Sequence, residues 1–240
     1  MSKSFSLVLV CLIAYLLGSV SGGILTSRFG KGPDLRTVGS KSTGASNVQR
    51  TMGWKYGLIT FFFDAAKGIL ACYIAELIYG SHFAALLAGL CCVIGHNWPV
   101  FFGFKGGKGV ATTGGVMLFC FPVPALICIA VTVIVIALFR YISVGSMLLV
   151  ISFAALSFWF GRIDGQLNAC VVIWAFSLMI MCIARHHANI SRLIHGTENK
   201  LGHKVEQSGG KNVQRYELYP QFLHCCPYRS WKKHACGQNP

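Results

Sequence analysis

Lysine and glycine alternate at residues 105–109, Lys105-Gly106-Gly107-Lys108-Gly109, just after an aromatic patch that follows Pro99. Glycines let backbone N–H groups come close to an anion, and the two lysines add positive charge, so a phosphate-sized guest suits this stretch. The competing reading is a basic turn resting on lipid headgroups. A Walker A loop is excluded: from Gly103 to the Gly107-Lys108 pair the spacing is one residue short, and Gly109 stands where Ser or Thr would hold magnesium. A second stretch, GSKSTGASNVQR at 39–50, crowds Ser40, Gly44, Ser46, Asn47 and Arg50 together. It is either a nest for a phosphate or carboxylate or a flexible Gly/Ser loop.

Two further clusters join them, Ser143 and Ser146 in RYISVGS (140–146) and His186 and Asn189 in RHHAN (185–189). This inventory is rich in anion binders and poor in carboxylates, so neither an Asp- or Glu-held metal nor a cofactor is expected. The chain has no GxSxG nucleophile elbow. No histidine is followed five residues later by aspartate, the HxxxxD arrangement of common thioester-using acyltransferases. The chemistry expected is the gripping of two phosphates and the stabilisation of transferred charge.

The elements that must carry these loops are apolar. Of 240 residues 54% are hydrophobic and 12% charged, and seven acidic residues cannot solvate such a globule. An all-α, polytopic membrane bundle of about seven transmembrane helices is expected. In a soluble chain the net charge of +14 would suggest nucleic acid; here it marks loops facing anionic lipid and anionic substrates, with no nucleic acid partner. Most of the 11 cysteines lie in apolar runs and read as small hydrophobes.

The first run, 5–25, competes with a cleaved signal peptide, but about 20 apolar residues suit a retained span. Its Gly18-Ser19 and Ser21-Gly22-Gly23 permit close helix packing. Residues 28–55 form the long polar connection. A second span at 56–79 carries Asp64 and Lys67, spaced to pair on one face. A third, at 82–100, ends at His96 and Pro99. His96 itself reads as either a hydrogen-bonded structural histidine or a catalytic one. Pro122 and Pro124 split 109–139 into a short helix to about Cys120 and a span over 122–139. RYISVGS turns into a span at 147–161, and Arg162 to Gly165 turns into the last, 167–184. With the N-terminus outside, every Lys and Arg except Lys3, Lys67 and Arg162 falls on one side. Residues 1–202 are thus a membrane domain, and 203–240 a basic, disordered cytoplasmic tail. His224, Cys225, Cys226, His234 and Cys236 in that tail lack a two-residue CxxC hairpin for a metal.

Together GSKSTGASNVQR, DAAKG (64–68), GHNWPVFFGFKGGKGVAT (95–112), RYISVGS and RHHANISRLIHGTENKLG (185–202) resemble the bacterial acyl-phosphate:glycerol-3-phosphate acyltransferases, in that family's order from residue 8 to 202. The resemblance implies a seven-span bacterial inner-membrane enzyme with its active site at the cytoplasmic face, its N-terminus periplasmic and its C-terminus cytoplasmic. Its reaction moves a fatty acyl group from acyl phosphate to the sn-1 hydroxyl of glycerol 3-phosphate, giving lysophosphatidic acid in the first acylation of phospholipid synthesis. A peripheral acyl-phosphate-forming enzyme is the implied protein partner. By the same resemblance Ser40, Lys108, His186 and Asn189 are catalytic. Gly44, Ser46, Asn47, Arg50, Lys105, Gly106, Gly107, Ser143 and Ser146 bind substrate. The base is His186 or the substrate's own phosphate. Ser42 stands for a common Asn, Ser46 for Thr, Trp98 for Phe, and His187-Ala188 for Arg-Glu. Two other classes remain: an anion transporter with Asp64 and Lys67 on its path, and a scaffold recruiting soluble lipid enzymes. One-sided loops argue against the first. The glycine–lysine loop argues against the second.

Overall fold

The computed structural model describes residues 3–160, 162–163 and 166–202; the tail from 203, with the histidines and cysteines weighed there as metal ligands, lies outside the described residues. The regular structure of the described residues is helical but for one antiparallel ladder pairing Arg162–Ile163 with Gln166–Leu167.

The first apolar run is broken rather than continuous. Helix α1 (Lys3–Ser19) stops, and α2 (Gly22–Phe29) restarts with the Ser21 side chain accepting from Ile24 N–H. The polar connection is not merely loop, since it holds α3 (Ala45–Met52). Helix α4 (Trp54–Tyr79) follows, then α5 (His82–Asn97), which ends two residues before Pro99, and a single 3-10 turn at Val100–Phe102. Pro122 breaks the next run as expected: α6 (Val110–Cys120) gives way to α7 (Pro122–Phe139), with the proline in the first turn where its missing N–H costs nothing. Helices α8 (Ile142–Phe160), α9 (Ala169–Arg185) and α10 (His187–Ile194) complete the set, the last two bent by 59°.

RYISVGS is not the turn expected. Arg140 alone takes a left-handed conformation (φ 60°), and α8 starts at Ile142 rather than near 147. Ser143 and Ser146 therefore ride on a helix start.

Five stretches are long and apolar enough to cross a membrane: Lys3–Phe29, Trp54–Tyr79, His82–Phe102, Pro122–Phe139 and Ile142–Trp159. The bent α9–α10 pair makes a sixth if it counts as one span. The seventh expected crossing rests on α6, whose 11 residues rise about 16 Å against a hydrocarbon thickness of about 30 Å. The outward faces are apolar, with Phe62, Leu77, Ile134, Leu138 and Trp159 exposed, as a lipid-facing surface requires. The buried core gathers Val116 and Met117 of α6, Phe153 of α8, and Trp174 and Leu178 of α9. Trp174 also donates its indole N–H to Leu86 C=O across to α5, at 2.9 Å.

Candidate active site

Asn47 organises the first loop. Its Oδ1 accepts from Ser40 N–H at 2.9 Å, while Nδ2 donates toward Leu35 C=O, Val38 C=O and Ser42 C=O at 3.2, 3.2 and 2.9 Å. The amide is spent on the loop, and Asn47 is buried at 1% exposure, so it shapes the site without a free atom for a ligand. Ser40 and Ser46 are half-buried, and neither hydroxyl has a partner among the described residues. Gly44 caps α3 without a side-chain bond. One and a half turns on, Arg50 is 7% exposed, yet no hydrogen bond or ion pair engages its guanidinium among the described residues. A buried arginine left so is poised for an anion.

The second loop is built against His96. A Cβ on Gly107 would lie 2.0 Å from His96 Nε2, and one on Gly106 would lie 2.2 Å from His96 C=O, so only glycine fits either place. Gly107 N–H donates to His96 C=O at 3.1 Å. Arg185, stacked over Trp98 at 5.5 Å, donates to Gly107 C=O from Nε and Nη2 at 3.0 and 2.8 Å. In a trans peptide the next N–H points the opposite way, so this clasp turns Lys108 N–H away from Arg185. The N–H groups of Gly106, Lys108 and Gly109 have no acceptor among the described residues. Lys105 is exposed, with no side-chain partner among the described residues, and stands outside this cluster.

Lys108 Nζ donates to Asn189 Oδ1 of α10. Asn189 Nδ2 in turn donates to Glu198 Oε1 at 2.6 Å, Ser143 Oγ donates to the same oxygen at 2.9 Å, and Arg192 Nε donates to Oε2 at 2.7 Å. One carboxylate thus ties the start of α8 to α10 and to the glycine–lysine loop. Burial pushes the Lys108 ammonium down to about 8, with Glu198 opposing and Arg192 and Arg50 reinforcing the shift. Burial alone would raise the Glu198 carboxyl, but the bonds from Asn189, Arg192 and Ser143 outweigh it and hold it below the usual range. Burial also lowers Arg50, which remains a cation. Arg50, Lys108 and Arg192 therefore share a single carboxylate, and the site carries surplus positive charge.

His186, at the α9–α10 elbow, is 2% exposed with Nδ1 2.8 Å from Cys182 C=O. A carbonyl only accepts, so Nδ1 carries the proton and Nε2 is the free acceptor of the neutral ring. Burial, then the charge on Lys108, pushes His186 down to about 4. Cys182 Sγ lies 3.6 Å from that same protonated nitrogen, which cannot take the thiol proton. Ser146 Oγ donates to Ile142 C=O at 2.8 Å inside its own helix. Among the described residues no three His, Cys, Asp or Glu side chains gather as metal ligands do.

The structure thus brings Arg50, Lys108, Ser143 and Asn189 into one charged cluster, with His186 beside it through Cys182 and Lys108. Sequence reasoning missed Arg185, Arg192 and Glu198. Glu198 had a signal, being the only carboxylate in the basic stretch 185–202.

Residues 8–196 match the family model described as glycerol-3-phosphate acyltransferase. A glycerol-3-phosphate acyltransferase of Finegoldia magna is 41% identical over 82% of this chain and 96% of its own length. That of Clostridioides difficile is 40% identical over 84% and 98%. The crystal structure of PlsY (YgiH), an integral membrane glycerol 3-phosphate acyltransferase, in its glycerol 3-phosphate form superposes with a TM-score of 0.75, at 40% identity, covering 82% of this chain and 96% of that one. Its lysophosphatidic acid form gives 0.73 at 38% identity, with the same coverage.

Proposed function

The chain belongs to the glycerol-3-phosphate acyltransferase family, as an integral membrane protein, and from that premise we propose that its acyl donor is a fatty acyl phosphate and its acceptor the sn-1 hydroxyl of glycerol 3-phosphate. The observation that carries this reading is a surplus of cations and unpaired N–H donors around Lys108, with no nucleophile–base pair beside them among the described residues. Both substrates bear phosphate, and crystal forms of the related PlsY hold glycerol 3-phosphate and lysophosphatidic acid.

An acyl phosphate is a mixed anhydride, so the glycerol hydroxyl can attack its carbonyl carbon directly. A C–O ester bond forms, the acyl–phosphate C–O bond breaks, and the hydroxyl proton leaves on the departing phosphate. Atoms and charge balance with no enzyme nucleophile. The protein's task is orientation and charge stabilisation. Arg50 and the N–H groups of Gly106 and Gly109 grip the phosphates, with Gly44 at the start of α3 beside them. Lys108, through its ammonium and its outward-turned N–H, meets the developing oxyanion. Asn189 and Ser143 are held by Glu198 at the acceptor's place, and Ser40 and Ser46 offer free hydroxyls. His186 Nε2 accepts the attacking hydroxyl's hydrogen bond; with its pKa pushed to about 4 it orients that proton, and phosphate is the stronger base.

The one-sided basic loops support a bacterial inner-membrane enzyme with its N-terminus periplasmic, its C-terminus cytoplasmic, and residues 203–240 a tail beyond the membrane domain. A soluble enzyme that forms acyl phosphate would then supply the donor at the same face. The test is lysophosphatidic acid formation by purified protein given glycerol 3-phosphate and, separately, palmitoyl phosphate, palmitoyl-CoA or an acyl carrier protein thioester. Product from the phosphate alone is expected. Product only from a thioester would overturn the donor.

A further inference from the structure

Deep in α4, Lys67 Nζ lies 2.9 Å from Asp64 Oδ1, with the two side chains only 3% and 1% exposed. Burying an ion pair is costly, and inside a membrane bundle such pairs are kept for what they hold. Lys67 donates to Gly18 C=O and Val20 C=O at 3.0 and 2.8 Å, the carbonyls left open where α1 ends. Asp64 Oδ1 accepts from Gly22 N–H at 3.3 Å, where α2 begins. The cation sits on the carbonyl end and the anion on the amide end of one helix break, which gives Gly18 C=O, Val20 C=O and Gly22 N–H partners without water.

The pair also reaches the site. Lys67 Nζ is 3.0 Å from His96 Nδ1. An ammonium only donates, so Nδ1 accepts and the ring proton sits on Nε2. That face of the ring is the one Gly107 lies against, and His96 C=O holds Gly107 N–H. On the other side of the break, a Cβ on Gly23 would lie 1.9 Å from Thr43 C=O, so α2 abuts the loop that Asn47 folds.

We infer that Asp64, Lys67 and His96 are positioning residues for the acyl transfer, which lock the α1–α2 break, the first polar loop and Gly107 into one unit and so set the two anion-binding loops against each other. The inference rests on the reading of the Gly106–Gly109 loop as the one that meets phosphate and the developing oxyanion.

His96 is the residue to change, because Lys67→Met would strand Asp64 as a lone buried charge and leave two carbonyls without donors. His96→Ala removes the ring that packs against Gly107 and keeps both the ion pair and the backbone bond from Gly107 N–H to His96 C=O. His96→Gln, which retains an acceptor but no ring, gives a second variant for the same measurement. Steady-state kinetics of the full-length detergent-solubilised chain should show KM for glycerol 3-phosphate rising roughly tenfold in both, with kcat within about threefold. Gly107→Ala disturbs the same contact from its other side. A His96→Ala/Gly107→Ala double variant should therefore be no worse than Gly107→Ala alone. A wild-type KM in both His96 variants, or effects that multiply in the double, would overturn the inference. Lys108→Met retaining turnover would instead remove the catalytic role of the glycine–lysine loop on which it rests. A dead Lys108→Met beside a normal His96→Ala would overturn the positioning role alone.

Discussion

Arg185 grips the carbonyl of Gly107 with two N–H groups, at 3.0 and 2.8 Å, and lies over the ring of Trp98. The orientation of the Gly107–Lys108 peptide is set by this fork, and with it the direction of the Lys108 N–H. Arginine's planar guanidinium can hold one carbonyl from two nitrogens; lysine's single ammonium cannot. Arg185→Lys keeps the charge and loosens the peptide. Turnover should fall roughly 10- to 100-fold, less than the loss expected for deleting an oxyanion donor outright. Lysophosphatidic acid formation at saturating substrates reads this out, and an unchanged kcat would show that the peptide holds its direction without Arg185.

Lys108 supplies a pH signature. Its ordinary value of 10.5 is pushed to about 8, first by burial. The useful form is the protonated one, so kcat/KM should be level below about 8 and decline as pH rises through it. Bound phosphate stabilises the ammonium and moves its pKa back up. The limb for kcat should therefore lie at higher pH than the limb for kcat/KM. Lys108→Arg, which stays charged, should lose the alkaline limb while retaining reduced turnover. Profiles of kcat and kcat/KM that superpose would assign the limb to another group.

Arg50 predicts an anion-dependent stability. Among the described residues its buried guanidinium lacks a partner, and there only Glu198 offsets the cations around it. Inorganic phosphate, a product of the proposed reaction, should raise Tm because it binds the folded state, which it stabilises by about 2.7 kcal/mol at 100 times its Kd. In Arg50→Met the same phosphate titration should give a clearly smaller rise. An equal rise in both proteins would place phosphate away from Arg50.

What was legible in the sequence was local. Apolar run lengths announced the long helices, and Pro122 correctly divided α6 from α7. The i, i+3 spacing of Asp64 and Lys67 announced their pairing. Partners distant in sequence were not legible. The α1–α2 break is invisible in an apolar run because its open carbonyls are satisfied by Lys67, 47 residues away from Val20. Asn47 looked like a ligand contact because its type suits one, yet its bonds run to four loop residues. Ser143 and Ser146 looked alike at their spacing. Only the fold separates Ser143, bound to Glu198, from Ser146, bound within α8.

Cys182 and His186 give the last test, because their 3.6 Å approach resembles a thiol–imidazole pair. The hydrogen-bond pattern argues otherwise. His186 Nδ1 is committed as a donor to Cys182 C=O at 2.8 Å, and among the described residues the buried thiol has only Ser146 C=O as a distant acceptor, at 4.0 Å. A thiol with no base to take its proton forms no acyl-enzyme. Cys182→Ala should therefore keep kcat within about threefold and cost on the order of 1 kcal/mol of stability for the lost sulfur. His186→Ala removes the Nε2 acceptor and should cost roughly 100-fold or more. Quenched reaction mixtures should show no protein-bound acyl group by mass spectrometry. A folded but inactive Cys182→Ala, or an acyl adduct on Cys182, would replace direct attack by a two-step route through the thiol.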